Sequence, residues 1–204
     1  MKIVVFGAGG RTGRQVVQQA LEQGHDVTAF VRSPHRLDTV QAALRIAQGD
    51  ARNGEAAAAA IAGQDAVISC IGTKGLGRTT LLSETAERII AGMKRHGVPR
   101  IVYLASAGIE QEIPGFSGFL AQKLLRHVLA DHRRAAEALK ASGLEWTIAR
   151  PMQLAGRKLK GMYLEARHGV PAGKGRISRA DTAHFLLKSL TDPLYNRQSI
   201  GLSY

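Results

Sequence analysis

Three side chains that follow one apolar run have the types and order of a proton-transfer site, with one change. The run Ile101–Leu104 leads to Ser106, and Phe119 and Lys123 follow with the spacing of an aromatic-x-x-x-Lys pair. A tyrosine in such a pair would donate a proton to a carbonyl oxygen that gains negative charge. Phenylalanine has no proton to give. The pattern therefore disfavours reaction at an isolated carbonyl and favours an acceptor that delocalises charge and takes its proton from solvent.

The glycine-rich segment VVFGAGGRTGR is the most specific local pattern in the sequence. The spacing G-x-G-x-x-G fails because Thr12 stands at its third glycine position, whereas G-x-x-G-x-x-G fits. Glycines in such a turn allow a tight bend, close approach of backbone amides to a pyrophosphate, and close helix–strand packing. The following helix adds its positive N-terminal end. We therefore predict a dinucleotide-binding turn, the alternative being a plain strand-to-helix turn. Its predicted members are Gly7, Gly9, Gly10, Arg11 and Gly13.

The end of the second predicted strand indicates which dinucleotide is bound. Sites specific for NAD place an acidic residue there to bind the ribose 2′-hydroxyl. The segment VTAFVRSPHR has no acidic residue and offers Arg32 and Arg36, with Arg11 in the glycine turn as a third cation. Because guanidinium groups bind phosphate strongly, the sequence favours NADP(H) over NAD(H) as cofactor. The alternative is that Arg32 and Arg36 are ordinary exposed arginines.

Two further turns lie at predicted carboxyl ends of strands, where open α/β sheets bind ligands. In the first, QGDA, Asp50 is predicted to bind the adenine amino group beside Ala51. Capping of the next helix near Asn53 is the alternative role for Asp50. In the second, SCIGT, a glycine lets the backbone pass the ribose, and Cys70 is interpreted as a buried small residue. The predicted contacts of the second turn are Ile71, Gly72 and Thr73.

Short apolar runs alternate with helical patterns along the whole chain. The strand-like runs are rich in Val, Ile and Leu and show little alternation, as expected when helices cover both sheet faces. This order predicts an α/β fold with a doubly wound parallel sheet, the Rossmann fold, and one domain over residues 1–204. The predicted strands are Lys2–Phe6, Asp26–Val31, Leu44–Ala47, Ala66–Cys70, Ile101–Leu104, Glu145–Ala149 and Ser199–Ser203. The predicted helices are Thr12–Gln23, Asn53–Ala62, Thr79–His96, about Leu120–Ala141, and Ser178–Leu190.

The composition limits the classes of partner. Hydrophobic residues make up 45% and charged residues 22% of the chain, as in ordinary globular domains. The single cysteine excludes an internal disulfide and favours a cytoplasmic location, and no stretch approaches the roughly 20 apolar residues of a membrane span. The net charge of +12 favours anionic partners, but scattered basic residues and few aromatics disfavour nucleic acid. We identify no metal ligands, and the oligomeric state stays open.

With these segments identified, the chain resembles the atypical short-chain dehydrogenase/reductases, and within them the biliverdin-IXβ reductase / flavin reductase group. The resemblance spans nearly the whole chain and extends to the NmrA-like proteins of the same fold. It is strongest in the nucleotide-binding half and weaker in residues 108–123 and 152–175. The matching segments are GAGGRTGRQVVQQAL, VTAFVRSPHRL, GQDAVISCIGT, SETAERIIAGMKRHGV, DHRRAAEALKASGL and RISRADTAHFLLKSL.

The resemblance implies NADPH binding by the glycine turn and by Thr12, by the two arginines after the second strand, and by the Asp50 and Gly72 turns. It also implies that Ser106 matches a serine carried after the fifth strand, beside the nicotinamide. His132 matches a histidine of the following helix and is, with Ser106, a candidate catalytic residue that contacts the substrate; the alternative is a solvated surface histidine.

The implied substrate site is formed by about residues 106–123 and 150–178. In it Pro151 matches the turn beside the nicotinamide, whereas Met152 and Gln153 stand where the group tends to have a histidine. Lys123 is either a contact to the cofactor ribose or a surface lysine.

Three functions are compatible with these residues to different degrees. The first is an NADPH-dependent oxidoreductase that transfers a hydride to a flavin or a similar conjugated small molecule, such as an open tetrapyrrole. The second is a non-catalytic NADP(H)-sensing regulator of the NmrA-like type, which also can lack the tyrosine. The third, a nucleotide-sugar epimerase or dehydratase, is disfavoured by the missing tyrosine and the short C-terminal part.

Overall fold

The computed structural model describes residues 1–37, 42–73, 75–113, 115–156 and 158–204. Strands and helices alternate through most of the chain. The strands are β1 (Lys2–Phe6), β2 (Asp26–Val31), β3 (Leu44–Gln48), β4 (Ala66–Ser69), β5 (Arg100–Leu104), β6 (Glu145–Pro151), β7 (Gln153–Ala155), β8 (Leu164–Ala166), β9 (Arg176–Ser178) and β10 (Gln198–Ser203). The helices are α1 (Arg11–Glu22), α2 (Gly54–Ile61), α3 (Leu81–His96), α4 (Gly115–Ala141) and α5 (Arg179–Thr191).

The main sheet has eight strands in the order β3-β2-β1-β4-β5-β6-β10-β8. The chain winds outward from β1 in one direction through β2 and β3, and in the other through β4, β5 and β6. The strand order therefore reverses between β1 and β4, and open α/β sheets bind ligands at the carboxyl ends of strands beside such a reversal. The doubly wound α/β fold predicted from the sequence is confirmed.

Side chains of the central strands pack into two hydrophobic cores, one on each face of the sheet. Ile3 and Val5 belong to the cluster that contains α1 and α5, whereas Val4 and Phe6 belong to the cluster that contains α2, α3 and α4. Successive strand residues point to opposite faces, so a strand buried on both sides shows a continuous apolar run. This explains why the sequence of β1 shows no polar alternation.

Several elements differ from the sequence predictions. The sheet is not wholly parallel, because β8 pairs with β10 in the antiparallel direction. The short strands β7, β8 and β9 were not predicted, since each has three residues and no apolar run. Helix α4 begins at Gly115 rather than near Leu120, because its first residues include Gly115, Ser117 and Gly118, whose helix propensity is low. The start of α5 is as predicted: the Ser178 hydroxyl accepts a bond from the Asp181 amide at 2.9 Å.

In the described ranges, none of the helices combines the length and the apolar character that a membrane crossing requires.

Candidate functional site

The glycine turn between β1 and α1 is packed too tightly for side chains at two positions. Gly7 has a φ of 74°, and a Cβ on it would lie 2.7 Å from the carbonyl oxygen of Cys70 in the turn after β4. A Cβ on Gly13 would lie 2.2 Å from the carbonyl oxygen of Gly7. Contacts below 3.0 Å do not occur for real Cβ atoms. These two glycines therefore bring β1, α1 and the end of β4 together.

Gly10 has a different surrounding. It caps α1, and its amide donates to the Gly7 carbonyl at 2.9 Å. A Cβ on Gly10 would meet only that carbonyl oxygen, at 3.1 Å, so its other side faces open space. No side chain caps the start of α1, and its first turn contains no acidic residue. The amides and the positive helix end are thus arranged to receive an anion.

The other predicted members of the turn lie around this opening. Gly9 is half-buried, Arg11 is exposed, and Thr12 is buried at the start of α1. Across the strand reversal lies the turn after β4, with Ile71 and Thr73 half-buried. A Cβ on Gly72 in that turn would meet nothing within 4 Å. The structure thus brings the two predicted turns to one crevice at the carboxyl edge of β1 and β4.

On the β2 side of the crevice, Arg32 follows the strand directly and is exposed. The side chain of Arg36 lies outside the described residues. Asp50 is held by a neighbour: its carboxylate accepts bonds from Arg52 Nη2 at 2.8 Å and Nε at 3.3 Å. The bonded Arg52 side chain, assisted by the Arg52 amide and the charge of Arg32, lowers the pKa of Asp50 to about 2.

The pairing of Asp50 with Arg52 rules out the capping role considered for Asp50 and adds Arg52 to the candidate site. Asp50 does not cap α2, because Asn53 Oδ1 accepts the amides of Glu55 and Ala56, both at 3.1 Å. Asn53 is the cap itself, while Ala51 is buried beside it. Arg52 was missed in the sequence analysis, although the pattern Asp-x-Arg was visible. It places a second guanidinium on the β2 side of the crevice, while the Asp50 carboxylate stays ionised.

Ser106 lies at the carboxyl edge next to Pro151. The pairing of β5 with β6 continues past the regular strand, since the Ala105 amide donates to the Ala149 carbonyl and the Ala107 amide to the Pro151 carbonyl, at 2.8 and 3.0 Å. Ser106 is half-buried, and its hydroxyl donates to the Ala107 carbonyl at 3.1 Å. Its strand lies two positions from β1, or about 10 Å at the usual strand spacing. A dinucleotide centred on the glycine turn reaches that far.

His132 is an interior residue. Its ring is 7% exposed, and Nδ1 lies 3.0 Å from the hydroxyl of Tyr103 on β5. Burial lowers the pKa of His132 to about 4, with a smaller opposing effect from Asp131. The expectation of a solvated surface histidine is therefore wrong. A neutral ring bonded to a buried tyrosine is also a poor proton donor at neutral pH.

The segment after Ser106 is fixed by a buried arginine. Arg150 is fully buried at the end of β6, and its guanidinium forms a close ion pair with Glu112. It also donates to the Ser199 hydroxyl at 2.9 Å and to the Gly169 carbonyl at 3.1 Å. Arg150 thereby connects the two segments predicted to form the substrate site, through Glu112 in one and Gly169 in the other, and ties both to β10. This role was not predictable from the sequence, because a strand-terminal arginine is usually exposed.

Helix α4 forms an apolar flank to the same edge. Its 27 residues measure about 40 Å, whereas the five residues of β5 measure about 17 Å. The first fully buried apolar member of α4 in the described core is Leu129, so its N-terminal turns extend beyond the sheet. There Phe119, Leu120 and Leu124 are 62%, 57% and 63% exposed. Lys123 is exposed beside them, as the surface alternative predicted.

The family is shown by a model that matches residues 7–193 and is described as NAD(P)H-binding. This chain belongs to that NAD(P)H-binding family of oxidoreductase-like proteins. The match begins at Gly7, the first glycine of the turn, and so includes the strands from β2 to β9 but not β1. The family assignment and the geometry of the glycine turn thus agree on the type of cofactor.

Individual proteins give the same picture. An uncharacterized protein of Mycobacterium tuberculosis is 26% identical over all of this chain, which spans only 22% of that protein's length. A Rossmann-fold NAD(P)-binding family protein from Shigella flexneri is 28% identical, with a TM-score of 0.79 over 99% of this chain and 92% of the other. ChuY, an anaerobilin reductase from Escherichia coli O157:H7, has a TM-score of 0.84 at 21% identity, over 100% of this chain and 97% of its own.

Proposed function

We propose that this protein is an NADPH-dependent reductase that transfers a hydride to a flat, conjugated acceptor such as a flavin or a linear tetrapyrrole. The observation that carries the proposal is the position of Phe119. It is exposed on α4, at the chain position where the aromatic-x-x-x-Lys pattern of a carbonyl reductase has its proton-donating tyrosine.

The cofactor half of the proposal rests on charge. The start of α1 has neither a side-chain cap nor an acid, which suits a pyrophosphate. No acidic residue lies in the described segment 32–37 after β2, and Arg32 is exposed there without a carboxylate partner among the described residues. An acidic side chain at this point would bind a ribose 2′-hydroxyl, whereas a guanidinium would bind a 2′-phosphate. We therefore propose NADPH in preference to NADH.

The acceptor half rests on the absence of a suitable acid near Ser106. In the described loop after it, Glu110 lies 3.5 Å from Lys140, and Glu112 is paired with Arg150. His132 is neutral and interior. When bound, NADPH supplies the hydride; the ring of the acceptor accepts it, and the balancing proton comes from water. Ser106 then has only to orient the acceptor or the nicotinamide amide by a hydrogen bond.

The shape of the edge supports an acceptor with a large apolar face. Phe119 and Leu120 form an exposed surface on the overhanging part of α4, and aromatic and aliphatic side chains stack well on flat rings. The fold of ChuY shows that a chain of this architecture can be a tetrapyrrole-type reductase, although at 21% identity it supports the fold alone.

The test is a steady-state assay of NADPH oxidation with FMN, FAD, riboflavin and biliverdin, and with a small aldehyde as the comparison acceptor. We expect turnover with at least one conjugated acceptor and little with the aldehyde. Turnover confined to the aldehyde would contradict the acceptor class. Tight NADPH binding without turnover on any acceptor would instead favour the NADP(H)-sensing regulator.

A further inference from the structure

A basic cleft of about 830 Å³ lies along the outer surface of α1, on the face of the sheet that α1 shares with α5. It runs from Arg11 at the start of α1 to Gln18, about 10 Å down the helix axis. The opposite wall is formed by the segment after β7 and by the start of α5. The lining residues are Arg11, Arg14, Gln15, Val17, Gln18, Leu37, Gly156, Lys158, Arg179 and Ala180.

The charges that the described residues bring to the cleft all have one sign. Arg11 and Arg14 come from α1, Lys158 from the segment after β7, and Arg179 from the start of α5, and none of the described lining residues is acidic. Among the described residues, Arg11, Lys158 and Arg179 have no hydrogen-bonded or ion-pair partner. Burial lowers the pKa of Arg179, and the nearby charge of Arg11 lowers it further. Like charges held together in this way need a counterion.

The walls of the cleft are held by hydrogen bonds that do not involve the side chains of the four cationic residues. The buried carboxylate of Asp181 accepts the amides of Lys160 and Gly161 at 2.9 and 2.7 Å, which attaches the segment carrying Lys158 to α5. Gln19 donates to the Ala180 carbonyl at 3.0 Å, which ties α1 to α5. The cleft is therefore built before any ligand arrives, and binding would not need to order its walls.

We propose that this cleft is a second anion site, which binds a small molecule bearing at least two phosphate or carboxylate groups. The cationic side chains come from three separate segments and are spread along the cleft rather than gathered at one point. This arrangement suits an extended polyanion. The amide side chain of Gln15 adds a donor to the lining, whereas that of Gln18 donates to the Glu22 carboxylate at 3.0 Å. Only Arg11 is shared with the glycine turn, so the cleft lies beside the cofactor site rather than within it.

The shared Arg11 makes a prediction about coupling. A polyanion in the cleft and a phosphate of the dinucleotide would both interact with the positive charge of Arg11. The two ligands should therefore weaken each other modestly and reciprocally, as linkage requires. Lys158 belongs to the segment 150–178 that was predicted to form part of the substrate site. The titration below contains no hydride acceptor, so failure of the reductase proposal would leave its result interpretable.

The experiment is a calorimetric titration of inorganic tripolyphosphate into the protein saturated with NADP⁺, at one low ionic strength. We expect one site, and a loss of affinity of about tenfold in Arg179→Gln and in Lys158→Gln, the size of one charge-assisted contact. Arg45→Gln, which removes an exposed arginine of β3, is the matched control and should change the affinity less than about twofold. All three variants should bind NADP⁺ as the parent does.

Three results would overturn the proposal. If NADP⁺ saturation abolishes tripolyphosphate binding, the anion occupies the cofactor site. If Arg45→Gln weakens binding as much as Arg179→Gln, the attraction is that of the general positive surface. If Arg179→Gln weakens NADP⁺ as much as tripolyphosphate, the cleft is part of the dinucleotide site.

Discussion

A Cβ atom on Gly13 would lie 2.2 Å from the carbonyl oxygen of Gly7, so α1 can approach β1 this closely only with glycine there. Gly10, in the same turn, has a Cβ position limited only by the same oxygen at 3.1 Å and open on its other side. One glycine is thus required by the fold, and the other is left free for a ligand.

The first prediction separates these two requirements. Gly13→Ala should lower the free energy of unfolding by about 1–3 kcal/mol, since overpacking forces helix and strand apart. Gly10→Val should keep a cooperative, nearly parental unfolding transition but lose NADPH binding, because its side chain fills the space of the pyrophosphate. Thermal unfolding and fluorescence titration of both variants measure this. Normal NADPH binding by Gly10→Val would show that the phosphates lie elsewhere.

The second prediction concerns the choice between NADPH and NADH. Arg32 should make NADPH bind at least about tenfold tighter than NADH, because a charge-assisted phosphate contact contributes roughly 1.5–3 kcal/mol. Arg32→Ala should remove most of this preference and leave NADH affinity unchanged. Arg88→Ala, an exposed arginine of α3, is the control and should keep the preference. Equal affinities in the parent protein would refute the assignment.

The third prediction follows from the buried His132–Tyr103 pair. The pKa of His132 is about 4 in the folded protein and 6.5 as the unperturbed value, so the unfolded chain binds the proton more readily. The folded state is therefore favoured by the neutral ring above about pH 6.5. That contribution, up to about 3 kcal/mol, is lost as the pH falls from about 6.5 to about 4.

His132→Gln should flatten this part of the stability curve, whatever its effect at neutral pH. His96→Gln, at an exposed position of α3, should keep the parental slope. Urea unfolding at several pH values between those limits gives the comparison. An unchanged slope in His132→Gln would mean that the ring is not held neutral by burial.

The fourth prediction addresses the residues at the carboxyl edge. Ser106→Ala should lower kcat only about ten- to a hundredfold, below or at the low edge of the roughly 10²–10⁴ expected of a true general acid. Phe119→Tyr should gain little, since a conjugated ring carries no localised alkoxide. NADPH affinity should hardly change in Ser106→Ala. A loss of kcat beyond about 10⁴ in that variant would make Ser106 the proton donor and favour carbonyl chemistry.

Local patterns sufficed to predict the alternation of strands and helices and the glycine turn after β1, because both depend on residues close in sequence. The position of His132 did not follow from its neighbours: it lies in an arginine-rich stretch, yet its ring faces β5 and bonds to Tyr103. Arg150 gave no signal for the same reason, since its partner Glu112 comes from another segment. Likewise, the antiparallel β8 is defined by its pairing with β10 rather than by its own three residues.

The central claim is that this chain passes a hydride from NADPH to a conjugated ring. The most direct measurement mixes the protein with equimolar NADPH and riboflavin in the absence of oxygen and follows both chromophores. We predict that the absorbances of NADPH and of oxidised flavin fall together, one equivalent each, at a rate that Gly10→Val abolishes. Binding of NADPH with no loss of either absorbance, for riboflavin and for biliverdin alike, would contradict the account.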